Sequence, residues 1–317
     1  MAKYRSNLPQ LADDIFLTDG GIETTLIFLE GLELPFFAAF HLLKDEAGTE
    51  ALRRYYRQHA TIARDSRVGF ILESATWRGS SDWGAKLGYS PHALADANGK
   101  AIDLLHELRR ELETPQSPMV ISGCIGPRGD GYRPEAVMTP DEAQDYHSPQ
   151  TRVFAERDAD LATAITMTNA NEAIGVARAA KDAGLPVVIS FTVETDGRLP
   201  TGQTLDEAIQ TVDAATGQAP AYYMINCAHP THFLSELRPG SPSLPRIRGL
   251  RANASKLSHA ELDEATTLDD GNPVELGEQY RDIRSRFAQI NVLGGCCGTD
   301  HRHIQQICRA TQRRAIA

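Results

Sequence analysis

Long apolar runs, basic clusters and a signal-type N-terminus are all missing from this chain of 317 residues. No run approaches the roughly 18 consecutive apolar residues that a membrane-spanning helix needs. The N-terminal segment MAKYRSNLPQLADD lacks an apolar core before a small-residue cleavage site, which predicts a cytoplasmic protein. The formal net charge is −10 and no basic stretch offsets it locally, which argues against binding to nucleic acid or membranes and favours small-molecule partners.

Low-complexity segments and breaks in composition are also absent. The chain is long enough for two average domains, but 41% hydrophobic and 23% charged residues are ordinary for one globular domain with a sizeable core. Pro239–Pro245 is the only stretch rich in Pro, Gly and Ser, and it is short enough to be a loop. We therefore expect a single domain over residues 1–317.

Cysteine is scarce, and its placement is uneven. Five is an odd number in a chain too long to need a disulfide scaffold, and in a reducing compartment clustered cysteines indicate metal binding or catalysis. Cys124 and Cys308 are isolated, which is typical of small buried thiols.

Apolar, β-branched runs alternate with segments of helical period along the whole chain. Eight runs predict strands, at Ile15–Thr18, Val68–Ser74, Met119–Gly123, Leu161–Thr166, Pro186–Val193, Ala221–Cys227, Ile247–Ala252 and Ile290–Gly294. The helices predicted between them are Glu50–Ser66, His92–Leu112, Asp141–Arg157, Glu172–Ala183, Leu205–Ala215, Val274–Phe287 and His301–Arg313.

This alternation predicts the α/β class with a parallel sheet, and eight repeats favour a single (β/α)8 TIM barrel. The alternative is an open doubly wound sheet, but the first strand is followed by Asp19-Gly20-Gly21 rather than by G-x-G-x-x-G. A barrel places its chemistry at the C-terminal ends of its strands, where three of the five cysteines lie.

These three are Cys227, at the end of the sixth strand, and Cys296 and Cys297, which follow the eighth strand between glycines. Neighbouring side chains of a regular strand point to opposite faces, so the vicinal pair can share a metal only where glycine lets the backbone turn. Three thiolates leave one position of a tetrahedral zinc open, as in catalytic sites. Buried thiols packed beside glycine, or a redox pair, are the alternatives.

The motifs around these cysteines resemble those of the homocysteine S-methyltransferase family. Asn226-Cys227 combined with GGCCGT is the most specific element, and the resemblance extends from FLTDGG near the start to GGCCGTDHRHI near the end. Supporting motifs are Asp19-Gly20-Gly21, Ile125–Gly129, YHSPQ and DGRLPTGQTLDEAI. The family includes betaine–homocysteine and S-methylmethionine–homocysteine methyltransferases, as well as the homocysteine-binding module of cobalamin-dependent methionine synthase.

The resemblance implies that Cys227, Cys296 and Cys297 bind Zn²⁺ and that the acceptor thiol takes the fourth position. Coordination removes the proton of a thiol whose ordinary pKa is about 8.5. A small onium donor then supplies the methyl group, and no further cofactor is needed. The resemblance also implies substrate-binding residues, namely Asp19, Gly20, Gly21, Ser74, Thr76 and Asn226. The alternatives are a tight turn for the Asp-Gly-Gly segment and helix capping for the two hydroxyls.

The sequence departs from the family pattern in the expected substrate pocket. Ile165 stands where many members have a glutamate for the amino group of homocysteine, and Glu73 stands where the family has a neutral polar residue. We hypothesise that Glu73 replaces the missing carboxylate; the alternatives are a partner for Arg78 or a surface charge. Aromatic side chains after the second strand line an onium site or pack under a loop; they are Trp77, Trp83 and Tyr89.

Three functions follow from these observations. The first is methyl transfer from an onium donor to homocysteine. The second is a noncatalytic family member that binds zinc or thiols. The third is a methyltransferase with a different thiol or selenol as acceptor, which the missing glutamate favours.

Overall fold

Eight parallel strands form a closed barrel in the computed structural model, which describes residues 1–134 and 137–312. Each strand pairs with the next in the chain, and β8 closes the ring by pairing with β1. The predicted (β/α)8 TIM barrel is therefore confirmed. The strands are β1 (Phe16–Leu17), β2 (Gly69–Glu73), β3 (Met119–Ile125), β4 (Leu161–Met167), β5 (Val187–Phe191), β6 (Pro220–Asn226), β7 (Ile247–Ala252) and β8 (Val292–Gly295).

Helices separate the strands and surround the barrel. In the described part of the chain they are α1 (Ile22–Thr24), α2 (Glu46–Ser66), α3 (Ser81–Lys86), α4 (Pro91–Leu112), α5 (Pro140–Glu156), α6 (Ala170–Asp182), α7 (Leu205–Thr216), α8 (Pro230–Phe233), α9 (His259–Glu264), α10 (Pro273–Arg286) and α11 (His301–Gln312). Short 3-10 and π helices occupy Pro9–Leu11, Thr25–Leu29, Pro35–Phe37, Ala39–Lys44 and Leu244–Arg246.

Capping side chains set the helix starts and explain where the predicted bounds differ. Helix α2 begins four residues before the predicted Glu50, because the Asp45 side chain accepts a hydrogen bond from the Gly48 amide at 2.8 Å. Asn169 caps α6 in the same way. The predicted end of the last helix, Arg313, lies outside the described residues.

Apolar packing divides the molecule into two layers. A large cluster lies between the strands and the surrounding helices. A smaller one fills the barrel interior, where side chains from seven strands meet: Phe16, Ile71, Val120, Leu161, Val188, Tyr222, Met224 and Val292. The polar interior therefore begins above this plug, toward the C-terminal strand ends. No helix of the described residues is long and apolar enough to cross a membrane.

Candidate active site

A cavity of about 330 Å³ opens at the C-terminal ends of the strands. Most of the residues predicted to form the site line this cavity, including all three clustered cysteines; they are Asp19, Gly20, Gly21, Glu73, Ser74, Cys227, Cys296 and Cys297. Thr76 and Asn226 are not part of the lining and are fully buried. The barrel therefore gathers most of the predicted residues around one space.

The three cysteine sulfurs form a cluster in which all Sγ atoms lie within 4.8 Å of one another. The sulfurs of Cys227 and Cys296 are in direct contact, and their Cα atoms are 5.4 Å apart. The hydroxyl of Tyr132 lies 3.4 Å from the Cys297 sulfur. The predicted meeting of two distant segments is confirmed for the described residues.

The backbone leaves strand geometry at both ends of this cluster. Cys227 follows β6 with a φ of 53°, in the left-handed region that non-glycine residues seldom adopt. The Cys296-Cys297 pair follows Gly294 and Gly295, and a Cβ at Gly294 would lie 1.8 Å from the Thr18 hydroxyl oxygen. Glycine is therefore required for the end of β8 to approach β1 this closely.

Asn226 positions the sulfurs rather than facing the cavity. Its Oδ1 accepts hydrogen bonds from the Thr166 amide at 2.9 Å and from the Ser190 hydroxyl at 2.6 Å. Its Nδ2 donates to the Thr166 hydroxyl at 2.9 Å and lies 3.9 Å from the Cys296 sulfur. Thr166 Oγ1 in turn lies 3.8 Å from the Cys227 sulfur. These contacts orient two of the cysteines, and the substrate-binding role implied for Asn226 stays a prediction.

The three sulfurs suit a divalent cation that prefers sulfur ligands. Zinc binds thiolates at about 2.3 Å in a tetrahedron, which places neighbouring sulfurs about 3.8 Å apart. Sulfurs within 4.8 Å of one another need only small side-chain rotations to reach that arrangement. The close contact between the Cys227 and Cys296 sulfurs would have to open first. Within the described residues the cluster contains no histidine or carboxylate ligand, so the cavity side is left for a fourth ligand.

Arg251 was not predicted from the sequence, and it determines the role of two predicted residues. Its guanidinium, buried inside the barrel, donates to the Asp19 carboxylate at 2.6 Å and to the Glu73 carboxylate. Although burial disfavours the charged form, these two carboxylates raise the pKa of Arg251. Glu73 also accepts from the Ser122 hydroxyl at 2.9 Å. Glu73 is therefore neither a partner of Arg78 nor a surface charge, but a buried partner of Arg251. Its binding of a substrate ammonium group stays a prediction, in which the substrate would share this carboxylate with Arg251.

The predicted hydroxyls and glycines are engaged within the chain. Ser74 and Thr76 hydrogen-bond each other at 2.7 Å, and the Thr76 hydroxyl donates to the Cys124 carbonyl. The Gly21 amide donates to the Thr299 carbonyl at 2.9 Å. A Cβ at Gly21 would lie 2.5 Å from the Cys296 carbonyl oxygen. Of this group, Ser74 and the two glycines of the Asp-Gly-Gly segment also line the cavity.

The aromatic group after β2 holds a cation of the chain itself. The Arg78 guanidinium lies 4.1 Å from the Trp77 ring centroid and 4.0 Å from that of Trp83. Only Trp77 of the three predicted aromatic residues lines the cavity. Tyr89 instead packs against His41 and hydrogen-bonds its ring nitrogen at 3.0 Å. Trp83 and Tyr89 therefore do not line an onium site in this cavity.

Two further acidic and aromatic residues of the cavity were not foreseen. Glu23 lines the cavity, and burial together with the neighbouring Asp19 raises its pKa to about 7. Tyr132 stacks on His259 with ring centroids 4.1 Å apart, and His259 Nε2 lies 2.6 Å from the Cys227 carbonyl oxygen. The position of Glu23 two residues after the Asp-Gly-Gly turn was the available signal in the sequence.

His229, His301 and His303 lie near the cysteines in sequence, but none of them belongs to the metal cluster of the described residues. His229 caps α8 through the Thr231 amide. His303 is buried and lies 3.3 Å from an Asp300 carboxylate oxygen.

Known proteins share both the sequence pattern and the fold. Residues 16–311 match the homocysteine S-methyltransferase family. The metallated form of the homocysteine methyltransferase MmuM from Escherichia coli superposes with a TM-score of 0.71 at 20% identity, covering 95% of this chain and 96% of that one. For its oxidized form the TM-score is 0.72 at 21% identity, with 95% and 97% covered. Since the family match extends over most of the sequence, this chain belongs to the homocysteine S-methyltransferase family and is a methyltransferase.

Proposed function

We propose that the protein transfers a methyl group from a small onium donor to the thiol of homocysteine or a related thiol, with Zn²⁺ held by Cys227, Cys296 and Cys297. The observation that supports this most directly is the cluster of three cysteine sulfurs in the wall of the barrel cavity. A reducing cytoplasm would keep Cys227 and Cys296 as free thiols, which zinc binding would deprotonate. The E. coli MmuM structures, described as homocysteine methyltransferase in metallated and oxidized forms, are consistent with this proposal.

Bound zinc would lower the pKa of the acceptor thiol, so that a thiolate forms at neutral pH. In the transfer itself, a sulfur–carbon bond forms while the bond from the methyl carbon to the onium centre breaks. The donor takes the electron pair of the broken bond and leaves as a neutral sulfide or amine.

The chain's own residues would position this reaction. Asn226 and Thr166 orient two cysteine sulfurs, and Tyr132 hydrogen-bonds the third. Arg251 pairs with both Asp19 and Glu73 and neutralises part of their negative charge at the cavity floor. The cavity walls would hold both substrates in line for attack.

The lining of the cavity bears on which thiol is the acceptor. Ile165 contributes an apolar side chain to the lining, and Glu73 is already paired. A thiol other than homocysteine is therefore the second candidate acceptor.

Metal content tests the proposal. We expect about one zinc per chain when the wild-type protein is purified under reducing conditions, and much less in Cys296→Ser, as measured by elemental analysis. Cys308→Ser is the matched control, since this buried cysteine lies in α11 outside the metal cluster. Equal zinc in wild type and Cys296→Ser would refute the metal site.

A methylation assay across thiols and onium donors tests the reaction separately. We expect turnover with at least one amino-acid thiol and one sulfonium or betaine donor. Absence of turnover with every pair, despite stoichiometric zinc, would refute the proposed donor and acceptor classes.

A further inference from the structure

Arg78 is a buried cation in the wall of the cavity, and it has no carboxylate partner in the described part of the chain. Its side chain is 6% exposed, and no ion pair to Arg78 forms within residues 1–134 and 137–312. Uncompensated buried charges are strongly destabilising, so such a group is normally paired. Its environment therefore indicates a missing anion.

The hydrogen bonds of the Arg78 guanidinium show which of its groups are available. Nη1 donates to the Gly129 carbonyl. Nε is buried without a hydrogen-bond partner, and no bond from Nη2 occurs in the described part of the chain. The guanidinium N–H groups point outward in the plane of the group, while Trp77 and Trp83 contact it through their rings. An anion would therefore bind at the free edge of the guanidinium.

Asp130 does not serve as the anion that pairs with Arg78. It lines the same cavity, and its charge acts on Arg78. However, its Oδ1 accepts hydrogen bonds from the Tyr132 and Arg133 amides at 2.8 and 2.9 Å. This carboxylate caps its own loop instead of pairing with Arg78.

Glu23 presents a carboxyl group in the same cavity, and its pKa of about 7 leaves it partly ionised at neutral pH. Two other carboxylates of the cavity, on Asp19 and Glu73, are both paired with Arg251. Among the described residues no side chain forms a hydrogen bond or ion pair with the Glu23 carboxyl group, although the charges of Glu23 and Arg78, which both line the cavity, act on each other. One cavity of about 330 Å³ thus holds a buried guanidinium and a partly ionised carboxyl group that form no ion pair with each other.

We propose that Arg78 binds the carboxylate of a zwitterionic substrate and that Glu23 binds the cationic end of the same molecule. The proposal rests on the proposed function and names the substrate class at that site. Arginine pairs with carboxylates through two parallel N–H···O bonds, which gives it geometric selectivity as well as charge. An amino-acid thiol and an amino-acid or betaine onium donor share this zwitterionic chemistry, so the site suits either substrate.

Calorimetric titration of the purified, reduced protein distinguishes these sources. The acceptor probes are L-homocysteine, 3-aminopropanethiol, which lacks the carboxylate, and 4-sulfanylbutanoate, which lacks the ammonium group. The donor probes are S-methyl-L-methionine and its decarboxylated analogue. We expect Arg78→Met to weaken binding of carboxylate-bearing probes at least about tenfold, as expected for loss of a charge-assisted hydrogen bond. Binding of the decarboxylated analogues should stay within about twofold.

Glu23→Gln should show the converse selectivity. Binding of L-homocysteine should weaken about tenfold, while binding of 4-sulfanylbutanoate should change little. A selective loss for the thiol probes would assign the zwitterion to the acceptor, and a loss for the sulfonium probes would assign it to the donor.

Lys86→Met is the matched control, because this cation also lies 4.1 Å from the Trp83 ring but does not line the cavity. Arg78→Lys keeps the charge but not the two parallel N–H donors, so it should bind carboxylate-bearing probes better than Arg78→Met and less well than the wild type. It also serves as the test variant if Arg78→Met folds poorly. The wild type must itself prefer L-homocysteine over 3-aminopropanethiol, or S-methyl-L-methionine over its decarboxylated analogue. Absence of both preferences, or an equal loss for all probes in Arg78→Met, would overturn the proposal.

These measurements are independent of turnover. A protein that binds zwitterions through Arg78 but transfers no methyl group would refute the proposed reaction and leave the binding assignment intact. A protein that methylates thiols without any carboxylate preference would refute the binding assignment and leave the proposed reaction intact.

Discussion

Two residues next to the cysteine cluster have a left-handed backbone that their side chains disfavour. Thr166 has a φ of 64° and Cys227 a φ of 53°. β-branched residues such as threonine are rarely found in this region, and such strain persists where the surroundings enforce it. Asn226 supplies that constraint, since its amide bonds both the backbone and the hydroxyl of Thr166.

At this scale we predict that Asn226→Ala lowers zinc affinity about 10- to 100-fold, as is typical when a residue that orients metal ligands is removed. The reason is that Thr166 and the sulfurs of Cys227 and Cys296 lose their common anchor. Competition with a chromogenic chelator measures the change.

Asn291→Ala provides the control, because this buried asparagine bonds three carbonyls of the N-terminal segment at 2.7 to 3.0 Å, away from the cavity. It should destabilise the fold without a matching loss of zinc affinity. Unchanged zinc binding in Asn226→Ala would show that the cysteines need no such anchor.

At the scale of elements, the loop after β1 packs directly against the loop after β8. The Gly21 amide donates to the Thr299 carbonyl, and the Thr24 hydroxyl accepts from the Gly298 amide at 3.1 Å. Since β1 has two residues, these loop contacts contribute much of the closure between the first and last strands.

We predict that Gly21→Ala destabilises the protein by about 1–3 kcal/mol, the usual range for overpacking. The added Cβ would lie 2.5 Å from both the Cys296 carbonyl oxygen and the Thr24 hydroxyl oxygen. Urea denaturation under reducing conditions measures the difference. Gly99→Ala, inside α4, should be neutral or stabilising, because its Cβ meets the Arg157 side chain, whose end can move. Equal stability of Gly21→Ala and wild type would contradict the close approach.

At the scale of the whole molecule, Arg251 connects three strands across the barrel interior. It extends from β7 to Asp19 after β1 and to Glu73 at the end of β2. All three side chains are buried, with Arg251 5% and Glu73 4% exposed. This ion triad forms the polar floor of the cavity above the apolar plug.

We expect Arg251→Met to cost about 3–5 kcal/mol of unfolding free energy, because two buried carboxylates would lose their shared cation. The double variant Arg251→Met/Glu73→Gln should recover part of this loss, since it removes one uncompensated charge. Guanidinium denaturation measures both. Arg281→Met, which breaks an exposed pair with the adjacent Asp282, should change stability by less than about 1 kcal/mol. An Arg251→Met protein as stable as the wild type would exclude the triad as a structural support.

Much of the fold followed from local patterns. Eight apolar runs with intervening helical periods predicted the barrel, because strands buried on both faces need such runs. The strand ends then located Cys227 and the vicinal pair, since parallel strands present their C-terminal ends to one side. Errors at helix starts, as at Glu46, came from capping residues such as Asp45, whose effect depends on a single side-chain hydrogen bond.

What the sequence determined by itself was the architecture and the presence of the three sulfurs at one end of it. The tertiary structure alone decided which charges remain free in the cavity. Arg251 and Glu73 are 178 residues apart, so their pairing depends on barrel closure and side-chain direction, which no local pattern encodes. The same closure left Arg78 without a carboxylate partner among the described residues, because electrostatic pairing is set by distances in space rather than along the chain.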